Sequence, residues 1–283
     1  MTLVDVILPA RNAEATLSSA VESILTQTFS EFKLFIIDDG SSDGTGAIAE
    51  TYSRLDGRVV VVSLDGMGLP KALNDGIKRG CAPFIARMDA DDVSYPERLQ
   101  RQVKRLSLDC NLVVLGTAYA RFGNKEGSVL PPLTDVDCRR ALLSFNPFAH
   151  PTVMLRRTAV EAAGYYNECM PCAQDYDMFS RLALLGKVGN LPEVLLDYRV
   201  HSGQVTNVHG LQQLEISMGI SASNLARSLG TESVTAASLI FATIKGIVKF
   251  RGKHLLPMLR QIAGVIRISL KLSRWRYKLV IAR

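Results

Sequence analysis

The chain has 283 residues, 47% of them hydrophobic, and a formal net charge of +6. That length and apolar content suit one large domain with an appendage, and no internal repeat or low-complexity tract breaks it up. No run of about eighteen uninterrupted apolar residues occurs, so no membrane-spanning helix is expected. Met1-Thr2-Leu3-Val4-Asp5 also lacks the basic flank of a signal peptide.

Leu3-Val4-Asp5-Val6-Ile7-Leu8 is a mostly apolar run stopped by Pro9, as expected of a strand covered on both faces. Ala13 to Gln27 carries Leu17, Val21, Ile24 and Leu25 at helical spacing. Phe32–Ile37 reads as a second strand, ending in Asp38-Asp39-Gly40-Ser41-Ser42-Asp43, a string of turn formers. Ser42 or Asp43 is placed to cap a helix beginning near Gly46. Arg58–Val62 is a third strand, Leu69–Arg79 a helix and Phe84–Met88 a fourth strand. Strands alternating with helices imply βαβ units and a largely parallel sheet. The loops after Leu8, Ile37 and Met88 then share its carboxyl edge, where open α/β sheets bind ligands.

The last of those loops carries Asp89, Asp91 and Asp92 within four positions. Like charges this close raise each other's pKa unless a cation neutralises them. Hard divalent cations take oxygen ligands, and Mg²⁺ is often shared between carboxylates and a substrate phosphate. The cluster therefore predicts a metal holding a phosphorylated substrate, against the plainer reading of an acidic turn before a helix starting at Pro96. Neither G-x-x-x-x-G-K-[ST] nor a G-x-G-x-x-G after the first strand is present, which disfavours a nucleoside triphosphatase or a nicotinamide enzyme. Arg87 and Lys71 are candidate diphosphate partners, or else ordinary surface charges.

Several segments together resemble glycosyltransferase family 2. They are Val6-Ile7-Leu8-Pro9-Ala10-Arg11-Asn12, Ser23–Phe29, Ile37–Thr45, Met88-Asp89-Ala90-Asp91-Asp92, Ala72–Ile77, His150-Pro151-Thr152-Val153-Met154, Ala173-Gln174-Asp175-Tyr176-Asp177 and Leu191–His201. The resemblance covers about residues 1–205 and implies an α/β GT-A fold, with a Rossmann-like, mostly parallel central sheet flanked by helices. It implies transfer from a nucleotide-sugar donor with inversion, a single displacement that needs a base and charge stabilisation for the departing diphosphate. A metal, Mn²⁺ or Mg²⁺, suits the second task.

By that resemblance Pro9, Arg11 and Asp39 contact the nucleoside, with Asp39 accepting from the base ring. Asp89 contacts the ribose and Asp91 ligates the metal; the adjacent Asp92 leaves the choice between Asp91 and Asp92 open. Asp175 matches the catalytic base at the start of a helix through Phe179, Leu182 and Leu185, with Asp177 as runner-up. A helix N-terminus favours its anion. His201, after a strand over Glu193–Val200, matches a position that serves some relatives as a further metal ligand, or it packs on the donor. His150 is expected to be a buried structural residue, with lining of the acceptor side as the alternative. Five cysteines, including Cys169 and Cys172 in a C-x-x-C without a second pair, read as free thiols in a reducing cytoplasm.

The charge is unevenly spread. Residues 233–283 hold eleven Lys or Arg and no acid, which leaves 22 of the 33 basic residues against all 27 acidic ones before that point, a net of −5. Arg260, Arg267, Lys271, Arg274 and Lys278 form one helical stripe, with Leu259, Ile262, Ile266, Leu272, Trp275 and Leu279 elsewhere. A basic amphipathic helix of this kind reads as a segment lying on an anionic bilayer; a solvated helix face or an oligomer contact are the alternatives. Nucleic acid is not expected, since no recognised motif is present.

The expected organisation is a GT-A catalytic domain over 1–205, with a nucleotide-binding half (1–95) and an acceptor-side half (96–205), and a basic helical extension over 206–283. The expected activity is sugar transfer to a lipid-linked or growing surface glycan, on the inner face of the cell membrane. A metal-dependent nucleotidyltransferase, or a non-catalytic nucleotide-sugar-binding protein, is the competing expectation.

Overall fold

The structure, a computed structural model, describes residues 2–201 and 210–228. The basic stripe and Trp275 lie outside the described residues. Among those residues nine strands form one sheet, in the order β3-β2-β1-β4-β8-β6-β9-β5, with β7 beside β6. The first four strands are β1 (Val4–Ala10), β2 (Phe32–Asp39), β3 (Val59–Leu64) and β4 (Phe84–Arg87). They pair in parallel, as the strand-helix alternation predicts. Strand β8 (Met154–Arg156) joins β4 antiparallel and leads to β6 (Leu112–Gly123) and β9 (Lys187–Val200), which run parallel to each other. The short β5 (Val93–Ser94) closes the far edge on β9, and β7 (Gly127–Val129) pairs with β6.

Strand β1 passes through Pro9 instead of stopping there. Ile7 faces β4, where its carbonyl accepts from Met88 N–H. Pro9, two residues on, points the same way, but β1–β4 pairing has already ended at Ile7 and Arg87. The missing N–H therefore removes no ladder bond. Pairing with β2 continues through Pro9 and Ile37 to Ala10 and Asp38.

The sheet is covered on both faces. Val4, Val6 and Leu8 of β1 pack in one core with Leu17, Ala20, Val21 and Ile24 of α1 (Leu17–Leu25) and Leu99, Val103 and Leu106 of α4 (Arg98–Leu108). On the other face α3 (Leu69–Arg79) lies close, and Gly76 permits it: a Cβ there would come within 3.0 Å of Ile7 and 3.1 Å of Ile37. Helix α2 (Thr45–Leu55) follows the turn after β2. The residue capping this helix is Gly44, not Ser42 or Asp43, and no side chain caps it; Asp43, one residue earlier, accepts from Thr45 N–H at 3.0 Å within the turn.

Among the described residues, 2–141, 146–201 and 210–213 form one compact unit, and 142–145 group with 214–228. No helix among the described residues is long and apolar enough to cross a membrane.

The turn after β2 is built on close backbone contact. Gly40 has φ 71°, and a Cβ on it would lie 2.7 Å from Gly66 N. Gly40→Ala should therefore combine left-handed strain with a clash, costing about 1–3 kcal/mol. Thermal denaturation would read this as a lower midpoint. An unchanged midpoint would show that the two loops do not meet this way.

Candidate active site

A cleft of about 600 Å³ opens at the carboxyl edge of the sheet. Its walls come from the entry to α3 (Met67–Pro70), Arg87 at the end of β4 with Asp89 and Asp91 just beyond it, His150, the 168–171 loop, the start of α7 (Gln174–Leu182), Tyr198 near the end of β9 and His201 just after it. The charged groups are concentrated at the β4 end.

Arg87 is almost fully buried, at 3% exposure. Its Nη1 makes an ion-pair contact with Asp89. Its Nε is buried with no hydrogen-bond partner among the described residues. A buried guanidinium with an unfilled donor beside an open cleft is suited to receive an anion. Behind it sits Arg98, fully buried, which donates to Arg87 O at 2.9 Å and Pro151 O at 2.7 Å. Burial lowers its pKa to about 10, while Asp92 opposes that shift. Arg98 thus ties the end of β4 to the short 3₁₀ turn His150–Thr152.

The three carboxylates converge. Asp89, Asp91 and Asp92 each offer an oxygen, all within 4.8 Å of one another. Asp92 accepts from Arg199 N–H at 2.8 Å with one oxygen, and its other oxygen is buried without a partner. Burial first, then Asp89 and Asp91, push Asp92 up to about 9. Burial and Asp89 also raise Asp91, which lies 3.1 Å from His201 Nε2. Crowded oxygens, an orphaned buried carboxylate oxygen and an adjacent imidazole fit a hard divalent cation. Asp91 is half-exposed and faces the cleft, whereas Asp92 is 1% exposed.

At the neighbouring end Asp39 accepts from Met67 N–H at 2.6 Å and Gly68 N–H at 2.9 Å, which fixes the loop entering α3. The Arg11 guanidinium lies over Gly66, 3.7 Å from the position of a Cβ. Pro9 is buried in β1. Arg11 and Asp39 therefore flank the same loop whose Met67 and Gly68 line the cleft. Lys71 is exposed on α3 and is not among the cleft-lining residues.

Asp175 stands in the first turn of α7, after Ala173 in the left-handed region (φ 55°). Its Oδ2 accepts from Asn146 Nδ2 at 2.8 Å. Burial raises its pKa, while backbone N–H groups, Arg87 and Asn146 pull the other way. Asp177 is turned away: Arg181 donates to it at 2.9 and 2.7 Å, and Asp177 lines a separate surface cleft. His150 Nε2 lies 2.8 Å from the Tyr166 hydroxyl, and burial, assisted by Arg87, holds its pKa well below the usual histidine range. All five cysteines are free.

Asp89, Asp91, Arg87, Asp175 and His201 thus share one cleft, with Asp92 behind them. Sequence reasoning missed Asn146 and the buried Arg98. A lone Asn has no periodic signal, and an Arg at the start of a polar helix reads as solvated. Only the apolar spacing Leu99–Val103–Leu106 hinted that this face of α4 points inward.

The α/β sheet thus places an acidic cluster and a separate carboxylate on one cleft. The family model described as Glycosyl transferase family 2 matches residues 5–163, and the chain belongs to that family. It is a glycosyltransferase. The amylovoran biosynthesis glycosyltransferase AmsE of Erwinia amylovora is 33% identical over 198 residues, covering 69% of this chain and 74% of AmsE. The S. aureus TarS 1–349 structure in complex with UDP-GlcNAc superposes with TM-score 0.71 at 17% identity, covering 94% of this chain and 80% of that one. The mannosyltransferase PcManGT from Pyrobaculum calidifontis, in complex with GDP-Man and Mn²⁺, gives TM-score 0.61 at 16% identity, with 94% and 80% covered. These two likenesses establish the GT-A-type fold.

Proposed function

We propose that the chain transfers a sugar from a nucleotide-sugar donor, UDP-linked by preference, to a hydroxyl of a lipid-linked or growing surface glycan, with inversion. The carrying observation is one cleft that joins a buried, donor-rich Arg87 and an acidic cluster to Asp175. The first pair suits a departing diphosphate; the second suits removal of a proton from an incoming hydroxyl.

Asp91 and His201, with Asp89 and Asp92, would hold Mn²⁺ or Mg²⁺. The cation would neutralise charge on the leaving diphosphate. Arg87 adds fixed positive charge at the same end. Arg11 and Asp39 frame the nucleoside. Asp175, anchored by α7 and Asn146, accepts the acceptor proton as the new bond forms. TarS and PcManGT support a donor of nucleotide-sugar type, and the Mn²⁺ in PcManGT supports a metal. The membrane assignment rests on the basic carboxyl-terminal stripe alone.

A donor-hydrolysis screen across UDP-, GDP- and dTDP-sugars with Mn²⁺ or Mg²⁺ tests the reading. Metal-dependent release of nucleoside diphosphate from a UDP-sugar is expected, and NMR of the first-formed sugar should show the inverted anomer. Pyrophosphate release from a nucleoside triphosphate instead would point to a nucleotidyltransferase.

Metal use has its own measurement. Calorimetric UDP binding should weaken sharply with a chelator and comparably with Asp91→Asn. Tight binding that ignores both changes would remove the metal from the proposal.

A further inference from the structure

We infer that Asn146 is the positioning residue for Asp175: its amide holds the carboxylate toward the cleft and favours the ionised form. This rests on the reading of Asp175 as base.

The direction of the amide is fixed by its other contact. Asn146 Oδ1 accepts from Phe148 N–H at 3.1 Å, while Nδ2 donates to Asp175 Oδ2 at 2.8 Å. A flipped amide would set oxygen against carboxylate and NH₂ against N–H, so both contacts would become repulsive. Asn146 can therefore only donate to Asp175. A partner that donates and cannot accept there stabilises the carboxylate over the neutral acid.

The Asn146 segment is itself held in place. Asn190, 6% exposed, reaches Pro147 O at 3.4 Å. The Phe148 ring stands edge-on to Phe179 of α7, with centroids 5.3 Å apart. The helix that carries Asp175 and the segment that carries its donor thus pack on each other. Side chains that lock a functional group's geometry in this way are what a precise site requires.

The other groups acting on Asp175 leave this role to Asn146. Arg87 supplies distant positive charge, and the backbone N–H groups of Asp175 and Tyr176 belong to the helix start. Cys172 and Tyr166 face the carboxylate as neutral groups, each with its pKa raised by burial. Asn146 donates a side-chain hydrogen bond to the carboxylate at 2.8 Å, from 29 residues away in sequence.

The test follows Asp175 by ¹³C NMR in the full chain labelled at aspartate carboxyls, the signal being assigned by its loss in Asp175→Asn. Asn146→Ala should raise the titration midpoint by about one pH unit, the scale of a lost hydrogen bond to a charged group. Asn146→Asp, nearly the same shape, should raise it further by setting a second carboxylate against the first, and it covers the case in which Asn146→Ala fails to fold. Steady-state hydrolysis of a UDP-sugar by the folded variants should show a kcat lowered about tenfold, KM unchanged and the acid limb moved up by the NMR shift. Unmoved midpoints in the folded variants would overturn the inference. Shifted midpoints with no donor turnover in the unaltered chain would uphold the pairing and remove the base role, so the two failures are separable.

Discussion

Asp175→Asn should leave donor binding nearly intact and lower turnover by roughly 10²–10⁴, the usual contribution of general-base assistance. Calorimetry with UDP and a steady-state assay with the identified UDP-sugar, run on the same samples, measure both halves. Binding should survive because Asp175 belongs to the α7 wall, whereas Arg87, Asp89 and Asp91 hold the opposite end. Asp177→Asn should act differently. Its carboxylate is bound to Arg181, which also donates to Tyr165 O at 2.8 Å, so that change should lower stability more than turnover. Turnover lost with Asp177→Asn and retained with Asp175→Asn would transfer the base role to Asp177. Because burial raises Asp175 and the base acts as the anion, turnover should fall as pH drops through a value above the ordinary aspartate range. An exposed base would lose activity only at lower pH.

Asp5→Asn should destabilise the fold by about 3–5 kcal/mol, the cost of leaving one member of a buried ion pair uncompensated. At the slope usual for domains of this size, the melting temperature should drop roughly 6–20 °C. Asp5 is 1% exposed, and its Oδ2 accepts from Arg157 Nη2 and Ala82 N–H, both at 2.7 Å. Arg157 also donates to Ala82 O at 2.6 Å and Ile77 O at 2.7 Å. The pair thereby ties the start of β1 to the end of α3 and to the turn before β4. It lies near the amino ends of the strands, away from the cleft, so UDP binding below the melting transition should be unchanged. A double change, Asp5→Asn with Arg157→Met, should recover part of the loss by removing the stranded cation. A loss under about 1 kcal/mol for Asp5→Asn would show that solvent reaches the pair.

The amino-terminal half was legible because each strand there is a short apolar run ended by polar turn formers. The limits of α3 at Leu69 and Arg79 could be read directly from spacing and Gly80. Strand β9 was legible only from Glu193, although it begins at Lys187. Gly189, Asn190 and Pro192 are poor strand formers, yet they lie within β9, where the β6–β9 register jumps from Thr117↔Leu191 to Ala118↔Val194. Pro192 falls in that irregularity, where no ladder bond is required of it. The acidic cluster could be found because three carboxylates were adjacent in sequence. The side chains that support it could not: Arg98 and Asn146 take their meaning from carbonyls and carboxylates that only the folded chain brings near.

Ala173 shows why tolerance to substitution need not track chemistry. It precedes the candidate base by two positions, is 4% exposed and holds φ at 55°. Branched side chains are strongly disfavoured in that region, while glycine fits the backbone but gives up the buried methyl. A saturation library at position 173 should therefore retain few variants, although no atom of the Ala173 side chain is assigned a part in the reaction. Intolerance there would report the angle at which the chain enters α7, and a survey that ranked residues by sensitivity alone would mistake a hinge of geometry for a reacting group.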